Sequence, residues 1–463
     1  DYLCKARGIK VADKIAIQTM RRHSNSQEPL SGEDLKYDVR ALTLFISAVF
    51  EERIPHEVNV LIPHINRPFQ KGLEINNRRI RCIVKNWDSD FIRVDIDQDA
   101  DEEEYLVRLK DEENHIDHTY LWDLLKEGMQ LNLLDCQVKQ PIITPRLIVV
   151  EPDYLVDISS IATCFTAFGH HPLLYLLNLM KPRANTQATL LGNFAGAALD
   201  DIINSHGKYQ VNETVKSNFR EKALEFCTCP WFDAKKFYTD ANLQAFNLQQ
   251  VVDILFPRTA SQAKMSAFRG ESLYDRKKAI LEPSFVCEAL GIQGRVDLMT
   301  TDCKLLVEQK SGRNMNIETH QVDSAYHSYQ LEPHYVQLLL YYGVLQHNFK
   351  LSNDRVNIRL LYSKYQPQDG LMVVAYYQKL FKEAIEYRNQ LVAASFEIAK
   401  EGFEHALNEF KPEVLNVAGT QDFFYNKYLK PQIEAITNPL HDLSPLEEAY
   451  FCRMMTFVLR EQM

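Results

Sequence analysis

The spacing of hydrophobic and polar residues changes several times along this chain. Residues 33–54 carry apolar side chains at a helical period and predict a helix. From residue 56 the pattern becomes short alternating runs, which are typical of strands. The predicted strands are Val58–Ile62, Arg79–Val84, Phe91–Ile96, Tyr105–Leu109, Gln130–Leu134 and Arg146–Val150. Short strands with polar connections indicate a small β-barrel, either of the oligonucleotide-binding (OB) type or purely structural.

Helical patterns replace the strands after Glu151-Pro152-Asp153. Predicted helices cover Leu173–Met180, a segment starting near Thr189, and residues 213–229, 242–256 and 333–345. Predicted strands return at Ser284–Cys287, Arg295–Met299, Leu305–Lys310 and Asn357–Tyr362. This mixture indicates an α/β (α+β) core, in which a mixed sheet is flanked by helices.

These patterns predict four segments along the chain. They are an N-terminal helical segment (1–55), a small β-barrel (56–152), the α/β core (153–370) and a helical stalk (371–463). No apolar run approaches the roughly 18 residues of a membrane span, so we expect no membrane partner. The first residues carry no signal-peptide pattern and no initiator Met, so we expect a fragment of a longer protein.

Composition and charge narrow the function classes. The chain has 463 residues, of which 46% are hydrophobic and 25% charged, as in soluble globular proteins. Its net charge of −10 argues against non-specific coating of nucleic acid, but not against a local basic channel. Nine scattered cysteines do not suggest a disulfide framework, so we expect a cytoplasmic protein, associated with the nucleoid if bacterial. No G-x-x-x-x-G-K-[ST] motif is present, which excludes a P-loop ATPase.

Charged residues gather at the end of a predicted hairpin, whose strands are joined by the turn Thr300–Cys303. Glu308 and Lys310 are two residues apart, so their side chains share one face of a strand. Asp297 reaches that face from the neighbouring strand. Charges are costly to bury, but two carboxylates suit a hard cation such as Mg²⁺. We therefore interpret the hairpin as a metal-dependent phosphodiesterase site; the alternative is a surface ion pair.

At these residues the sequence resembles the PD-(D/E)XK nuclease superfamily, and within it the RecB-like branch. The family motifs G-[RK]-[IV]-D, E-x-K and Q-x-x-x-Y read here Gly294-Arg-Val-Asp297, Glu308-Gln-Lys310 and Gln337-Leu-Leu-Leu-Tyr341. The family usually has an acidic residue ahead of the first motif, and Glu282 lies at that place. The resemblance implies a nuclease core that hydrolyses phosphodiester bonds with Mg²⁺ or Mn²⁺.

The resemblance also implies a role for each motif residue. Asp297, Glu308 and the backbone carbonyl of Gln309 would hold the metal. Lys310 would position a water molecule or offset charge on the phosphate. Glu282 would support this shell or hold a second ion.

The Q-x-x-x-Y helix is expected to contact DNA. Gln337 and Tyr341 are four residues apart and share one helical face. They would orient the DNA strand, and Tyr341 would stack on a base or donate to a phosphate. Alternatively, both are ordinary half-buried residues of the helix.

The sequence departs from the family in the helix before the core. Relatives carry a metal-binding His, sometimes Glu, four residues after a Gly, whereas this chain reads Gly192-Asn-Phe-Ala-Gly196. Asp200 lies one turn further along the same face and is the candidate replacement. Asp201 and the tandem His170-His171 are weaker candidates.

A second departure concerns the iron–sulfur cluster of many relatives, which uses one Cys upstream and three downstream of the Q-x-x-x-Y helix. Cys164 fits the upstream place, but only Cys452 lies downstream. We therefore expect no iron–sulfur cluster.

Further stretches resemble flap-processing replication helicase–nucleases. They are Trp122–Leu134, Leu147–Ser159, Arg388-Asn389 and Glu447–Phe451, the last two resembling the linker towards a helicase. The expected function is cleavage of single-stranded or flapped DNA in replication or repair, with a helicase in the full-length protein. One alternative is a catalytically impaired nuclease fold that binds DNA or scaffolds a helicase. A purely structural interaction protein would leave the buried charge unexplained.

Overall fold

The computed structural model describes residues 9, 11–25, 30–50, 79–96, 104–166, 169–181, 185–205, 209–322, 326, 328–351, 356–407, 409–417, 419, 423 and 425–462. The fold is mixed α/β, and the chain divides into two compact units, residues 1–148 and 149–463. The predicted strand at 58–62 lies outside the described residues. Within the described ranges, no helix is both long and apolar enough to cross a membrane.

The first unit contains two helices and a seven-stranded sheet. The helices are Val11–Ser24 and Gly32–Phe50, and His23 Nδ1 lies 2.8 Å from Asp38 Oδ2 between them. The strands are β1 (Arg79–Trp87), β2 (Phe91–Ile96), β3 (Tyr105–Arg108), β4 (Lys110–Asp111), β5 (Ile116–Asp117), β6 (Gln130–Leu134), β7 (Gln137–Lys139), β8 (Ile142–Thr144) and β9 (Leu147–Val150). The sheet order is β7-β8-β3-β2-β1-β6-β9, and β4 pairs with β5.

This sheet differs from the predicted β-barrel. Closing a barrel requires the first and last strands of the sheet to share hydrogen bonds. Among the described residues, the edge strand β7 pairs only with β8, and no pairing joins β7 to β9. The described strands therefore form an open sheet, and no barrel is found. Buried and more exposed residues alternate along β1, which buries Ile80, Cys82 and Val84 on one face, whereas β9 is buried throughout.

The second unit is built on a mixed five-stranded sheet. Its strands in sheet order are β13 (Ala279–Leu281), β16 (Leu298–Thr300), β17 (Leu305–Lys310), β18 (Asn357–Tyr362) and β19 (Leu371–Val373). A three-stranded sheet has the order β10 (Val156–Asp157), β15 (Ile292–Arg295) and β14 (Ser284–Cys287). A small hairpin pairs β11 (Phe165–Thr166) with β12 (Gly169–His170). Strands β17 and β18 run parallel, and the other pairs of the five-stranded sheet are antiparallel.

Helices accompany these sheets. The longer ones are Leu173–Met180, Gln187–Asn204, Val211–Glu221, Ala234–Leu255, Ala260–Phe268, Glu332–Phe349, Gln378–Glu401, Lys430–His441 and Pro445–Gln462. The shorter ones are Ile158–Ala162, Ala223–Cys227, Met315–Thr319, Pro367–Gly370, Phe403–Leu407 and Pro412–Leu415, with 3-10 turns at Thr119–Leu121 and Arg276–Lys278 and a π-helical turn at Tyr425–Leu429. The predicted stalk from residue 371 thus opens with the edge strand β19.

Strand β17 is the centre of the second unit. Its Leu-Leu-Val run is fully buried because helices cover the sheet. Leu305 and Val307 belong to one core with the helices Gln187–Asn204 and Ala234–Leu255. Thr186 caps the first of these helices by accepting the Thr189 N–H at 3.1 Å. The packing of these two helices against β17 therefore helps to position the polar end of this strand.

The long helix Gln378–Glu401 is fixed by a fully buried arginine. Arg388 donates to the carbonyl oxygens of Tyr154 at 2.6 Å and Gly291 at 3.2 Å, and its neighbour Asn389 accepts the Val150 N–H at 3.0 Å. Arg388 and Asn389, predicted to belong to a linker, therefore lie inside the second unit and hold its first strand segment in place.

A charged histidine joins three elements of this unit. His170, on β12, contacts Glu332 at 3.0 Å and Glu383 at 2.6 Å, which belong to two different helices. Burial alone would lower the pKa of His170, but the two carboxylates raise it to about 9. Because this folded pKa exceeds the ordinary value of 6.5, the contribution to stability is complete below pH 6.5 and disappears as the pH rises through about 9.

We expect His170→Gln to lower the free energy of unfolding by about 1–2 kcal/mol at pH 6, and by less at pH 9.5. Urea unfolding at the two pH values measures the difference. His405→Gln is the matched control, because His405 is 67% exposed and lies 3.9 Å from its glutamate. A loss of stability that stays the same at both pH values would contradict the account.

Candidate active site

The site forms where two neighbouring chain segments leave one sheet and enter another. The crossing consists of Glu282-Pro283, between β13 and β14, and Val296-Asp297, between β15 and β16. Pro283 has no N–H to donate, so it interrupts the ladder. Instead, the Glu282 N–H donates to the Asp297 carbonyl at 2.9 Å and the Val296 N–H to the Pro283 carbonyl at 3.3 Å. We call these four residues the sheet crossing.

The sheet crossing corrects the predicted hairpin. The second strand, Leu305–Lys310, has the predicted bounds, but the first predicted strand, 295–299, is interrupted at residues 296–297. Only Leu298 and Met299 pair with β17 there. Asp297 is thereby released from the ladder, and its Oδ2 accepts the backbone N–H of Gln309 at 2.5 Å. The carboxylate thus lies beside the end of β17, as the hairpin prediction required.

Glu308 is a buried carboxyl group with one unused oxygen. Its side chain is 3% exposed, and its Oε2 has no hydrogen-bond partner within the described structure. Burial and, to a smaller extent, the Asp297 carboxylate raise the pKa of Glu308 to about 8, although Lys310 acts in the opposite direction. Burial also raises the pKa of Asp297, while the Gln309 N–H opposes that shift. The two acids therefore disfavour each other's ionisation.

Lys310 is held between the acid and the neighbouring helix. Its Nζ donates to Glu308 Oε1 at 2.7 Å and to Gln337 Oε1 at 2.8 Å. Its side chain is 21% exposed. Glu308 and Lys310 therefore do not form the surface ion pair that was the alternative. An ammonium carries three donors, so one remains for a water molecule or a phosphate oxygen.

Tyr341 has a different position from the one predicted. It is 3% exposed, and its hydroxyl donates to the Arg295 carbonyl at 2.6 Å. A Cβ at Gly294 would lie 2.9 Å from the Tyr341 ring, so the motif glycine is needed for this close approach. Because it is buried, Tyr341 cannot stack on a DNA base. It positions the segment that leads to Asp297, whereas Gln337 orients Lys310.

Asp200 and Glu282 complete an acidic group around the site. Burial raises the pKa of Asp200 to about 6, and the charges of Glu282, Asp201 and Asp297 contribute in the same direction. Asp200 is therefore close enough to the sheet crossing to sense its carboxylates. Glu282 is exposed and pairs with Arg295 at 3.0 Å.

The weaker candidates for the missing metal ligand, Asp201, His170 and His171, are all held by other contacts. Asp201 accepts from the Thr214 hydroxyl at 2.5 Å and faces that neighbouring helix. His170 is occupied by its two glutamates, and His171 Nδ1 accepts the Leu173 N–H at 3.1 Å. A Cβ at Gly196 would meet no heavy atom of the described residues within 4 Å, so there is open space at the position where the resemblance predicted a His.

The structure adds polar residues that the motifs do not include. The Gln309 side chain donates to Ser363 Oγ at 2.6 Å, and this hydroxyl donates to Gln244 Oε1 at 2.6 Å. His334 lies one turn before Gln337, and the charge of Lys310 acts on it. The only sequence signal for His334 was its helical spacing from Gln337, since i and i+3 share a face.

One direct observation supports a divalent cation at this site. Glu308 Oε2 is buried beside Asp297 and has no hydrogen-bond partner among the described residues. Carboxylate oxygens are the ligands that Mg²⁺ prefers. Within the residues the structure describes, no three His, Cys, Asp or Glu side chains are already grouped at metal-binding distances. Asp297 accepts from the Gln309 N–H and Glu308 accepts from Lys310.

The described cysteines are all free thiols, and Cys164 and Cys452 are both buried. Neither a scan against protein-family models nor a search of curated proteins finds a match for this chain.

We expect Glu308→Gln to stabilise the metal-free protein, because the amide needs no buried ionisation. Since the folded pKa of Glu308 is raised to about 8, wild-type stability falls as the pH rises from 4.5 through 8. The gain from the substitution should therefore grow between pH 5 and pH 8.5, to roughly 1–3 kcal/mol. Urea unfolding measures it, with the exposed Glu113→Gln as control. A variant less stable than wild type at pH 8.5 would contradict the claim that the buried Glu308 carboxylate destabilises the fold at that pH.

Proposed function

We propose that this protein is a metal-dependent deoxyribonuclease that hydrolyses phosphodiester bonds in single-stranded or flapped DNA. The observation that supports the proposal most strongly is Glu308, a buried carboxyl beside Asp297 and Lys310 with one oxygen that has no hydrogen-bond partner among the described residues. A structural protein gains nothing from such a group, because an apolar residue of similar size would be more stable there. Buried acids with raised pKa values are typical of catalytic sites.

The residues divide the work of the proposed reaction. Asp297, Glu308 and the Gln309 carbonyl would hold Mg²⁺ or Mn²⁺, with Asp200 and Glu282 as supporting acids. When bound, the ion supplies positive charge to the scissile phosphate and makes a water molecule more acidic. Lys310 offers its remaining donor to the attacking water or to a phosphate oxygen, where negative charge grows in the transition state.

Hydrogen bonds within the protein hold these side chains in position. The Gln309 N–H fixes Asp297, and Gln337 fixes Lys310 from the opposite side. Both bonds hold these side chains in one conformation before the substrate binds, so less conformational entropy is lost on binding. The motif likeness to helicase–nucleases extends the proposal to a role in DNA replication or repair beside a helicase.

We expect Lys310→Ala to lower the cleavage rate of a labelled single-stranded or flapped oligonucleotide by about 10²–10³-fold with Mg²⁺ or Mn²⁺. Lys304→Ala is the matched control, because Lys304 is an exposed lysine at the opposite end of the same strand. Equal cutting by wild type and Lys310→Ala would refute the mechanism. Binding without cutting by wild type, with either metal, would instead indicate the catalytically impaired DNA-binding module.

We expect Asp200→Asn to weaken Mn²⁺ binding about 10-fold, because it removes a carboxylate that interacts with Asp297. Calorimetric Mn²⁺ titration of the DNA-free protein measures the effect. Asp201→Asn is the control, since that side chain is held by Thr214. Superimposable titration curves for wild type and Asp200→Asn would remove Asp200 from the site.

A further inference from the structure

Strands β17 and β18 end at the same edge of the sheet, beside the candidate active site. They run parallel, with Lys310 in register with Tyr362. The Ser363 N–H donates to the Lys310 carbonyl at 2.9 Å, so the two chain segments leave the sheet side by side. Ligands of open α/β sheets bind at the carboxyl ends of parallel strands, because the segments that follow diverge there.

Two exposed cations follow these strand ends. Arg313 comes three residues after Lys310, and Lys364 comes directly after Ser363; their side chains are 64% and 39% exposed. Glu318 brings them together, since it accepts from Arg313 Nε at 2.6 Å and lies 3.2 Å from Lys364 Nζ. A guanidinium has five N–H donors and an ammonium three, so both cations keep donors for a second anion.

The Tyr365 hydroxyl makes this arrangement rigid. It donates to Glu318 Oε1 at 2.9 Å and accepts the Asn314 N–H at 2.8 Å. Arg313 and Lys364 are therefore held by a carboxylate that is itself fixed by the β18 segment. Even with Glu318 counted, this group carries one net positive charge in a protein whose net charge is −10.

His334 provides an uncharged donor at the end of β18, where it contacts Tyr362 and is affected by the charge of Lys310. Its Nδ1 lies 2.9 Å from the Tyr362 hydroxyl, which already accepts the Leu331 N–H at 3.1 Å. Because a hydroxyl can accept one hydrogen bond and donate another, it can donate its proton to Nδ1; in that tautomer the ring proton is on Nε2. Burial and, to a smaller extent, the charge of Lys310 lower the pKa of His334 to about 4, so the ring is neutral at pH 7. Nε2 has no hydrogen-bond partner among the described residues.

We propose that His334, Lys364 and Arg313 form a docking surface, the strand-end surface, for the phosphate backbone of one DNA strand. This inference rests on the proposed nuclease function and names the path by which its substrate leaves or enters the site. His334 donates from Nε2 to the phosphate next to the one at Lys310, and Lys364 and Arg313 bind the following phosphates. Arg313 and Lys364 follow two strands that end at one edge of one sheet, and His334 contacts the end of β18 from its helix, so the three donors match one backbone rather than the two of a duplex.

Fluorescence anisotropy with a labelled oligothymidine in EDTA tests the strand-end surface without cleavage. We expect Arg313→Ala/Lys364→Ala to weaken binding about 10-fold and to reduce the slope of log K against log salt by about 1.4, or 0.7 per lost phosphate contact. His334→Ala should weaken binding about 3- to 10-fold with an unchanged slope, because the ring is neutral. His334→Gln retains a terminal N–H donor and should restore most of the affinity.

Lys304→Ala is the control, with the same charge at the opposite end of β17, and should bind within about twofold of wild type. Thermal melting of each variant checks that the fold is intact. Wild-type affinity and slope in the double variant would overturn the surface, as would a blunt duplex that competes as well as the single strand.

The two proposals fail separately in these experiments. If wild type binds the oligonucleotide and the variants weaken binding as expected, but neither metal supports cleavage, the strand-end surface stands and the nuclease activity does not. If wild type cleaves and the double variant keeps the wild-type KM and affinity, the nuclease activity stands and the strand-end surface is refuted.

Discussion

Glu308 stays inside the protein with one oxygen bonded to Lys310 and the other unpartnered among the described residues. This carboxyl is the constraint around which the second unit is arranged. Leu305, Leu306 and Val307 place it at the end of a strand buried on both faces. The sheet crossing then brings Asp297 to the same place, where its repulsion raises the pKa of Glu308 still further. A protein that needed only a stable core would not put two acids there.

Rigid surroundings are what keep such a site from relaxing. Burial of the Tyr341 hydroxyl against the Arg295 carbonyl fixes the segment before Asp297. The Gln309–Ser363–Gln244 chain of hydrogen bonds fixes the strand from the other side. Each link is buried and satisfied, so moving either acid would break hydrogen bonds that no water molecule replaces. The surrounding hydrogen bonds therefore hold two carboxyls in a position where burial disfavours their ionisation, a common relation between function and stability.

The sequence predicted the helices and strands whose bounds follow from the spacing of apolar residues. It failed where the bounds depend on how strands pair in the folded protein. Strand β17, strand β18 and the helix Leu173–Met180 have the predicted bounds, because apolar runs and a following proline or polar residue define them. The break at Val296-Asp297 was missed, since Arg-Val-Asp-Leu-Met reads as one continuous strand. The chain turns there because β15 belongs to the three-stranded sheet, whereas β16 belongs to the five-stranded sheet.

The candidate site shows the same division. The D–E-x-K spacing predicted that Asp297, Glu308 and Lys310 lie together. Period-2 geometry accounts for Glu308 and Lys310, which share one strand, whereas Asp297 reaches them through the sheet crossing. The motif spacing did not reveal that Tyr341 is buried, since burial depends on Gly294 accepting its ring. His334 was missed for a similar reason: its proximity to Lys310 arises from the register of β18. The β-barrel prediction failed because alternation defines strands but not whether their sheet closes.

The central claim is that the unpartnered oxygen of Glu308 is a metal ligand. Anomalous diffraction from crystals soaked in Mn²⁺ without DNA tests it directly. The account predicts a peak about 2.1 Å from Glu308 Oε2 and within reach of an Asp297 oxygen. Crystals that bind Mn²⁺ elsewhere at saturation, with no peak between these two carboxylates, would contradict it.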